Sequence, residues 1–279
     1  MNNLLSVYMY EKDEHGHIIP NLLFHRTYDR LHSRCIEYPF AASNIGDAKV
    51  ILDVGSAKAD KLWISWLDSL NIDVYATDYD ELIYSVKNIK FSKSDIRKLD
   101  FQANTFDKII AVSVIEHIGL DRPQVLNKEK PKTEDDGDVK AFKEFLRVLK
   151  PGGKIIMTFP FGIRDELILG NEARNYTENS IKNFSSLAEP ILLEYYEYQY
   201  SRCNKLFRKN EKLFSKLKSK VLSSFKENKN EASSEDMNNS TKLIGPVTWR
   251  CIPRHKTEAK HYHHVEGVLC GVWRKAINT

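Results

Sequence analysis

Cysteine is scarce in this chain. Its 279 residues hold four, Cys35, Cys203, Cys251 and Cys270, widely spaced and with no CxxC pair. That excludes a disulfide scaffold and predicts free thiols in a reducing compartment. Twelve glycines and nine prolines are too few for a collagen-like or low-complexity chain. No window approaches the ~18 consecutive apolar residues of a membrane span. The opening MNNLLSVYMYEKDEHGH shows no basic segment followed by an apolar one, as a secretory signal would. A soluble, cytoplasmic protein is therefore expected. Neither sign of charge dominates: 42 Lys and Arg face 38 Asp and Glu, a net +4 that does not announce a nucleic-acid binder. The hydrophobic share of 42% is ample for a substantial core.

Apolar runs of strand length begin at Lys49. KVILDVG ends at a glycine, as a strand buried on both faces of a parallel sheet does. Residues 58–70 carry apolar side chains at helical spacing, IDVYATD reads as a second strand, Asp80–Lys90 as a second helix, and IKFSKSD as a third strand. FDKIIAVSVIEHIG is a fourth strand. Asp138–Lys150 is an amphipathic helix stopped by Pro151-Gly152-Gly153, and GKIIMTFPF a fifth strand. Alternating strands and helices predict an α/β, Rossmann-like, doubly wound and mostly parallel sheet with helices on both faces. Further on, 177–187 reads as a helix capped by Thr177. Residues 190–200 and 265–275 read as strands, the last one antiparallel. Residues 1–48 read as an N-terminal cap, within which Pro39 closes the aromatic and basic stretch 21–40. Residues 49–200 with 244–279 form the main domain, and 201–243 a helical insert before the last strand.

In such a sheet ligands sit beyond the carboxyl ends of the strands, near the first one. The loop there is Asp53-Val54-Gly55-Ser56-Ala57-Lys58-Ala59, where a dinucleotide cradle would carry GxGxxG. Only Gly55 remains, with Ala57 and Ala59 at the spacing of the later glycines, so a pyrophosphate cradle is not expected.

DVGSAKA resembles the first motif of class I S-adenosylmethionine-dependent methyltransferases, and four further features follow in the order of that family. These are Asp78 in YATDYD, Asp95 in KSDIRKL, FDKIIAVSVIEHIG, and FLRVLKPGGKIIMTFP. The resemblance spans 49–161. It implies S-adenosylmethionine as cofactor, with Asp53, Gly55, Ser56, Ala57, Asp78, Tyr79, Asp95, Ile96 and Ser113 around it. Asp78 would meet the ribose hydroxyls, and Asp95 the adenine amino group with Ile96 beside the ring. Ionised carboxylates suit both, being acceptors only. The alternative for either aspartate is a strand end or helix cap.

At the end of the fourth strand His117 is the candidate general base, with a structural histidine as the alternative; Glu116 would orient ligand or loop. Ser113-Val114-Ile115-Glu116 stands where base-modifying methyltransferases carry Asn/Asp-Pro-Pro-Tyr/Phe, which argues against that class. Upstream, Arg34-Cys35-Ile36-Glu37-Tyr38-Pro39 resembles an R-x-IEYP element of methyltransferases associated with polysaccharide loci. That resemblance implies that Arg26, Arg34, Glu37 and Tyr38 cover the cofactor or line the acceptor pocket. Equally open is an N-terminal helix packed on the sheet, with Arg34 and Glu37 in a surface pair. His261, His263 and His264, with His255 and Glu266, precede the last strand. Alternate residues of a strand share a face, but no metal motif accompanies them. His263 is read as part of the acceptor pocket wall, and no metal is expected.

Residues 202–229 hold ten Lys and Arg and two Glu, a local +8 that leaves −4 for the remainder. Leu206, Leu213, Leu217 and Val221 give this stretch an apolar stripe. It reads as a lid with solvated lysines, as a peripheral contact with an anionic membrane, or as a binder of an acidic polymer. The expected function is transfer of a methyl group to a small molecule or a sugar of a glycan precursor, on oxygen. The rivals are a non-catalytic cofactor-binding scaffold and an RNA methyltransferase using the basic insert.

Overall fold

A computed structural model describes residues 11–12, 18–19, 33–120, 133–199, 248–252 and 267–277. Strands β1 (Glu11–Lys12) and β2 (Ile18–Ile19) form a small antiparallel ribbon. Helix α1 (Arg34–Ser43) precedes β3 (Val50–Val54), helix α2 (Lys61–Asp68), β4 (Asp73–Asp78), β5 (Ile89–Lys93) and β6 (Phe106–Val112). A 3-10 turn at Ile115–His117, helix α3 (Gly137–Val148) and β7 (Leu149–Pro160) follow. Then come a hairpin of β8 (Glu166–Ile168) and β9 (Ala173–Asn175), the one-turn helix α4 (Lys182–Ser185), β10 (Glu189–Gln199), β11 (Thr248–Ile252) and β12 (Gly267–Arg274).

Eight strands make one sheet in the order β11-β10-β12-β7-β6-β3-β4-β5. The run from β7 to β5 is parallel throughout, and β12 enters antiparallel between β7 and β10. The expected Rossmann-like sheet with an antiparallel last strand is thus the observed fold. Successive strand residues go to opposite faces, and both faces are covered. Ile51 and Val74 pack with Tyr38, Phe40, Trp63 and Trp66 of α1 and α2. Leu52 and Ile109 pack with Phe142, Phe145 and Phe184 of α3 and α4. This double coverage is why the central strands read as unbroken apolar runs.

Four expectations are corrected. The helix predicted at Asp80–Lys90 is absent: Leu82, Tyr84 and Val86 are half-buried while Glu81, Ile83 and Ser85 are exposed, the two-residue period of an extended chain. The Asp68 carboxylate fixes the end of that segment, accepting the amides of Lys87 (2.9 Å) and Asn88 (2.7 Å). Pro39 does not close the stretch 21–40 but lies inside α1. It removes one backbone bond, and burial of Ile36, Phe40, Ala41 and Ala42 outweighs that loss. The helix expected over 177–187 shrinks to Lys182–Ser185, preceded by turns in which Thr177 Oγ1 accepts the Asn179 amide at 3.2 Å. Arg34 and Glu37 do pair, but not on the surface, because Glu37 is fully buried.

The insert at 201–243, its basic stretch 202–229, Arg26, and the histidines 255, 261, 263 and 264 lie outside the described residues. No helix among the described residues is long and apolar enough to cross a membrane. Cys270 is buried and not in a disulfide.

Candidate active site

Chain connections leave β3 toward β4 on one side and reach β6 on the other, so a crevice opens at the carboxyl ends of β3, β4 and β6. A cavity of about 190 Å³ lies there, walled by the loop after β3, the ends of β4 and β6, and the turn holding His117. Its charged lining is mixed, with Asp53, Asp78, Asp80 and Asp95 against Arg34, Lys58 and Arg97.

The loop after β3 is shaped by two aspartates. Asp53 is 2% exposed and accepts Ser56 Oγ at 2.6 Å and Trp63 Nε1 at 3.0 Å. Burial pushes its carboxyl up to about 7, and the two donors offset that only in part. Asp78 accepts the amide of Ala57 at 2.9 Å through one oxygen and that of Asp80 at 3.0 Å through the other. Burial raises its pKa too, against those amides. Gly55 turns the chain at φ +86°, and a Cβ there would stand 2.2 Å from Val114 Cγ2. Glycine is therefore required at this position, while Ala57 is buried and is not among the residues with positive φ.

Asp95 meets Arg97, whose Nε reaches Oδ1 at 3.0 Å and whose Nη2 reaches Oδ2 at 2.6 Å. Burial would raise Asp95, but the Arg97 contacts outweigh it and hold the carboxyl below its ordinary value. Arg97 continues to Glu134 at 3.1 Å.

Of the residues predicted around the cofactor, Asp53, Gly55, Asp78, Tyr79, Asp95, Ile96 and Ser113 line the cavity, while Ser56 and Ala57 are buried behind it. Of those predicted for the acceptor, Arg34 and Tyr38 line it. Tyr38 stacks on Trp63 with centroids 4.8 Å apart, and burial pushes its phenol up to about 12.

Glu37 is corrected to a buried tie. It accepts Ser33 Oγ (2.8 Å), Ser113 Oγ (2.5 Å), Thr158 Oγ1 (2.9 Å) and the Arg34 guanidinium, fastening α1 to the ends of β6 and β7. Ser113 there has φ +49°, a left-handed turn that redirects the chain after β6. Glu116 is likewise off the lining: it is 2% exposed, with its carboxylate 3.9 Å from His117 Nε2. His263 lies outside the described residues. Sequence reasoning missed Lys58, Asp80, Trp63 and Arg97. Asp80 and Arg97 stood two residues from the chosen aspartates, but only the fold shows that they face the cavity.

His117 lines the cavity, and its Nδ1 stands 2.5 Å from the main-chain oxygen of Glu172. A carbonyl only accepts, so Nδ1 carries the proton and Nε2 is the basic nitrogen of the neutral ring.

Residues 52–157 match a family model described as a methyltransferase domain. This segment is an S-adenosylmethionine-dependent methyltransferase domain. Its match contains the loop after β3, Asp78, Asp95 and His117. No curated protein matches the chain. Among solved structures it is similar to the [4+2]-cyclase SpnF (15% identity, 86% of this chain and 79% of that one, TM-score 0.48). It is also similar to the Burkholderia thailandensis 1,6-didemethyltoxoflavin-N1-methyltransferase (12%, 86% and 76%, TM-score 0.47). A third is Haemonchus contortus phosphoethanolamine N-methyltransferase 2 (14%, 86% and 52%, TM-score 0.45).

The cavity suits the cofactor. Its lining includes Asp78 and Asp95, acceptors for a ligand that offers hydroxyl and amino donors, and the apolar Ile96.

Proposed function

We propose that the domain transfers a methyl group to a hydroxyl of a small molecule or of a sugar in a glycan precursor, with His117 as general base. Asp78 and Asp95 would hold the ribose and adenine ends of S-adenosylmethionine, which supplies an electrophilic methyl on a sulfonium. The chain's own work is positioning, exclusion of water and removal of one proton. The observation that carries the reading is the contact between His117 Nδ1 and the Glu172 main-chain oxygen. The Glu172 carbonyl holds the proton on Nδ1, which leaves Nε2 to accept a proton from the acceptor. The Glu116 carboxyl group lies 3.9 Å from Nε2. An acceptor hydroxyl needs such a base, whereas a neutral amine already presents a lone pair.

Calorimetry with S-adenosylmethionine, followed by methyl transfer across a panel of hydroxyl-bearing small molecules and sugars, tests the reading. His117→Asn is expected to lower kcat by roughly 10²- to 10⁴-fold and to leave cofactor affinity unchanged. An unchanged kcat refutes the base. Binding without turnover on the whole panel favours a non-catalytic, cofactor-binding protein.

A further inference from the structure

The β8–β9 hairpin lies outside every predicted motif, yet it holds the turn that carries His117. Just before β9, Glu172 gives its carbonyl to the imidazole. Within β9, the Arg174 guanidinium reaches across to main-chain carbonyls. Nη1 donates to Ile118 at 2.6 Å and to Glu116 at 3.5 Å; Nη2 donates to Asp135 at 3.1 Å and to Glu134 at 3.4 Å. These oxygens belong to two different stretches, the turn after β6 and the approach to α3. The two stretches are in close contact. The Glu134 amide donates to the Gly119 carbonyl at 2.9 Å, and a Cβ on Gly119 (φ +83°) would lie 2.0 Å from the Glu134 oxygen.

We infer that Arg174 is a positioning residue for His117. Its planar fork joins the turn that carries His117 to the approach to α3, and β9 thereby keeps the Glu172 carbonyl against Nδ1. The arginine acts through geometry: a guanidinium presents five donors in fixed directions, and four carbonyls from two stretches match that fork. Lysine offers one ammonium and cannot span both stretches. The inference rests on the proposed role of His117, but the state of the ring is measurable without any acceptor.

The test uses the full-length protein labelled with ¹⁵N-histidine. His117 is assigned by comparison with His117→Asn, and its ring nitrogens are read by NMR across pH. The expected wild-type signal is a single Nδ1–H tautomer. Arg174→Ala is expected to give a mixture of tautomers, and Arg174→Lys an intermediate mixture. With an active acceptor, Arg174→Ala should also lower kcat by roughly 10- to 100-fold with little change in KM for S-adenosylmethionine. A wild-type tautomer in both variants overturns the inference. If Arg174→Ala fails to fold, Arg174→Lys decides alone: an unaltered ring overturns the inference, and a mixture supports it. Failure to find an acceptor touches only the proposed function, because the tautomer measurement stands without turnover.

Discussion

Asp53→Asn should remove a pH dependence from the stability of this protein. The Asp53 carboxyl is 2% exposed, and burial moves it from an ordinary 3.8 to about 7. The folded chain therefore holds this proton more tightly than the unfolded chain does. Stability from this group is fully present below pH 4 and is lost as pH rises toward 7. Moving this carboxyl from 3.8 to about 7 gives at most about 4 kcal/mol across that window, at about 1.36 kcal/mol per pH unit. Asparagine keeps both contacts: its carbonyl can accept Trp63 Nε1, and its amide can donate to Ser56 Oγ. Urea unfolding of the ligand-free protein and the variant at pH 4.5, 5.5, 6.5 and 7.5 is the assay. The variant should gain on the wild type steadily up to pH 7 and then run parallel. Asp78, whose pKa burial also raises, is present in both proteins and largely cancels. A constant difference across the window refutes the reasoning, since it would mean that Asp53 titrates at the same pH folded and unfolded.

Gly55→Ala combines a left-handed φ with a Cβ 2.2 Å from Val114 Cγ2, a cost of roughly 2–5 kcal/mol. Adding Val114→Ala should recover the clash but not the backbone strain; equal stability of single and double variants in urea would contradict this. Glu37→Ala strips the buried tie between α1 and the ends of β6 and β7 and leaves Arg34 without that carboxylate. A loss of roughly 3–5 kcal/mol is expected, and Glu37→Gln should lose less. Thermal unfolding measures both, and an unchanged Tm for Glu37→Ala would show that α1 is held by apolar packing alone.

The local sequence carried the parallel strands, because strands covered on both faces become unbroken apolar runs: Ile51 and Leu52 are adjacent yet serve opposite faces. Asp53, Gly55, Asp78 and Asp95 were legible for a similar reason, since each stands directly at a strand end and the topology brings those ends together. The segment after Asp80 was misread because its contacts are distant. Leu82, Tyr84 and Val86 pack toward the core at a two-residue spacing, while the Asp68 side chain pins the segment's end. Local helix propensity is weak beside such contacts.

Glu37 and His117 mark the division most sharply. By itself the sequence determined the sheet, the cavity-lining residues Asp53, Gly55, Asp78 and Asp95, and a histidine lining the same cavity, because these depend on spacing along one chain segment. Only the tertiary structure decided that Glu37 is a buried tie, with partners from Ser33 to Thr158. It likewise decided that a carbonyl 55 residues away selects the protonated nitrogen of His117. Hydrogen-bond partners across such separations are set by which strands become neighbours, and no local pattern encodes that choice.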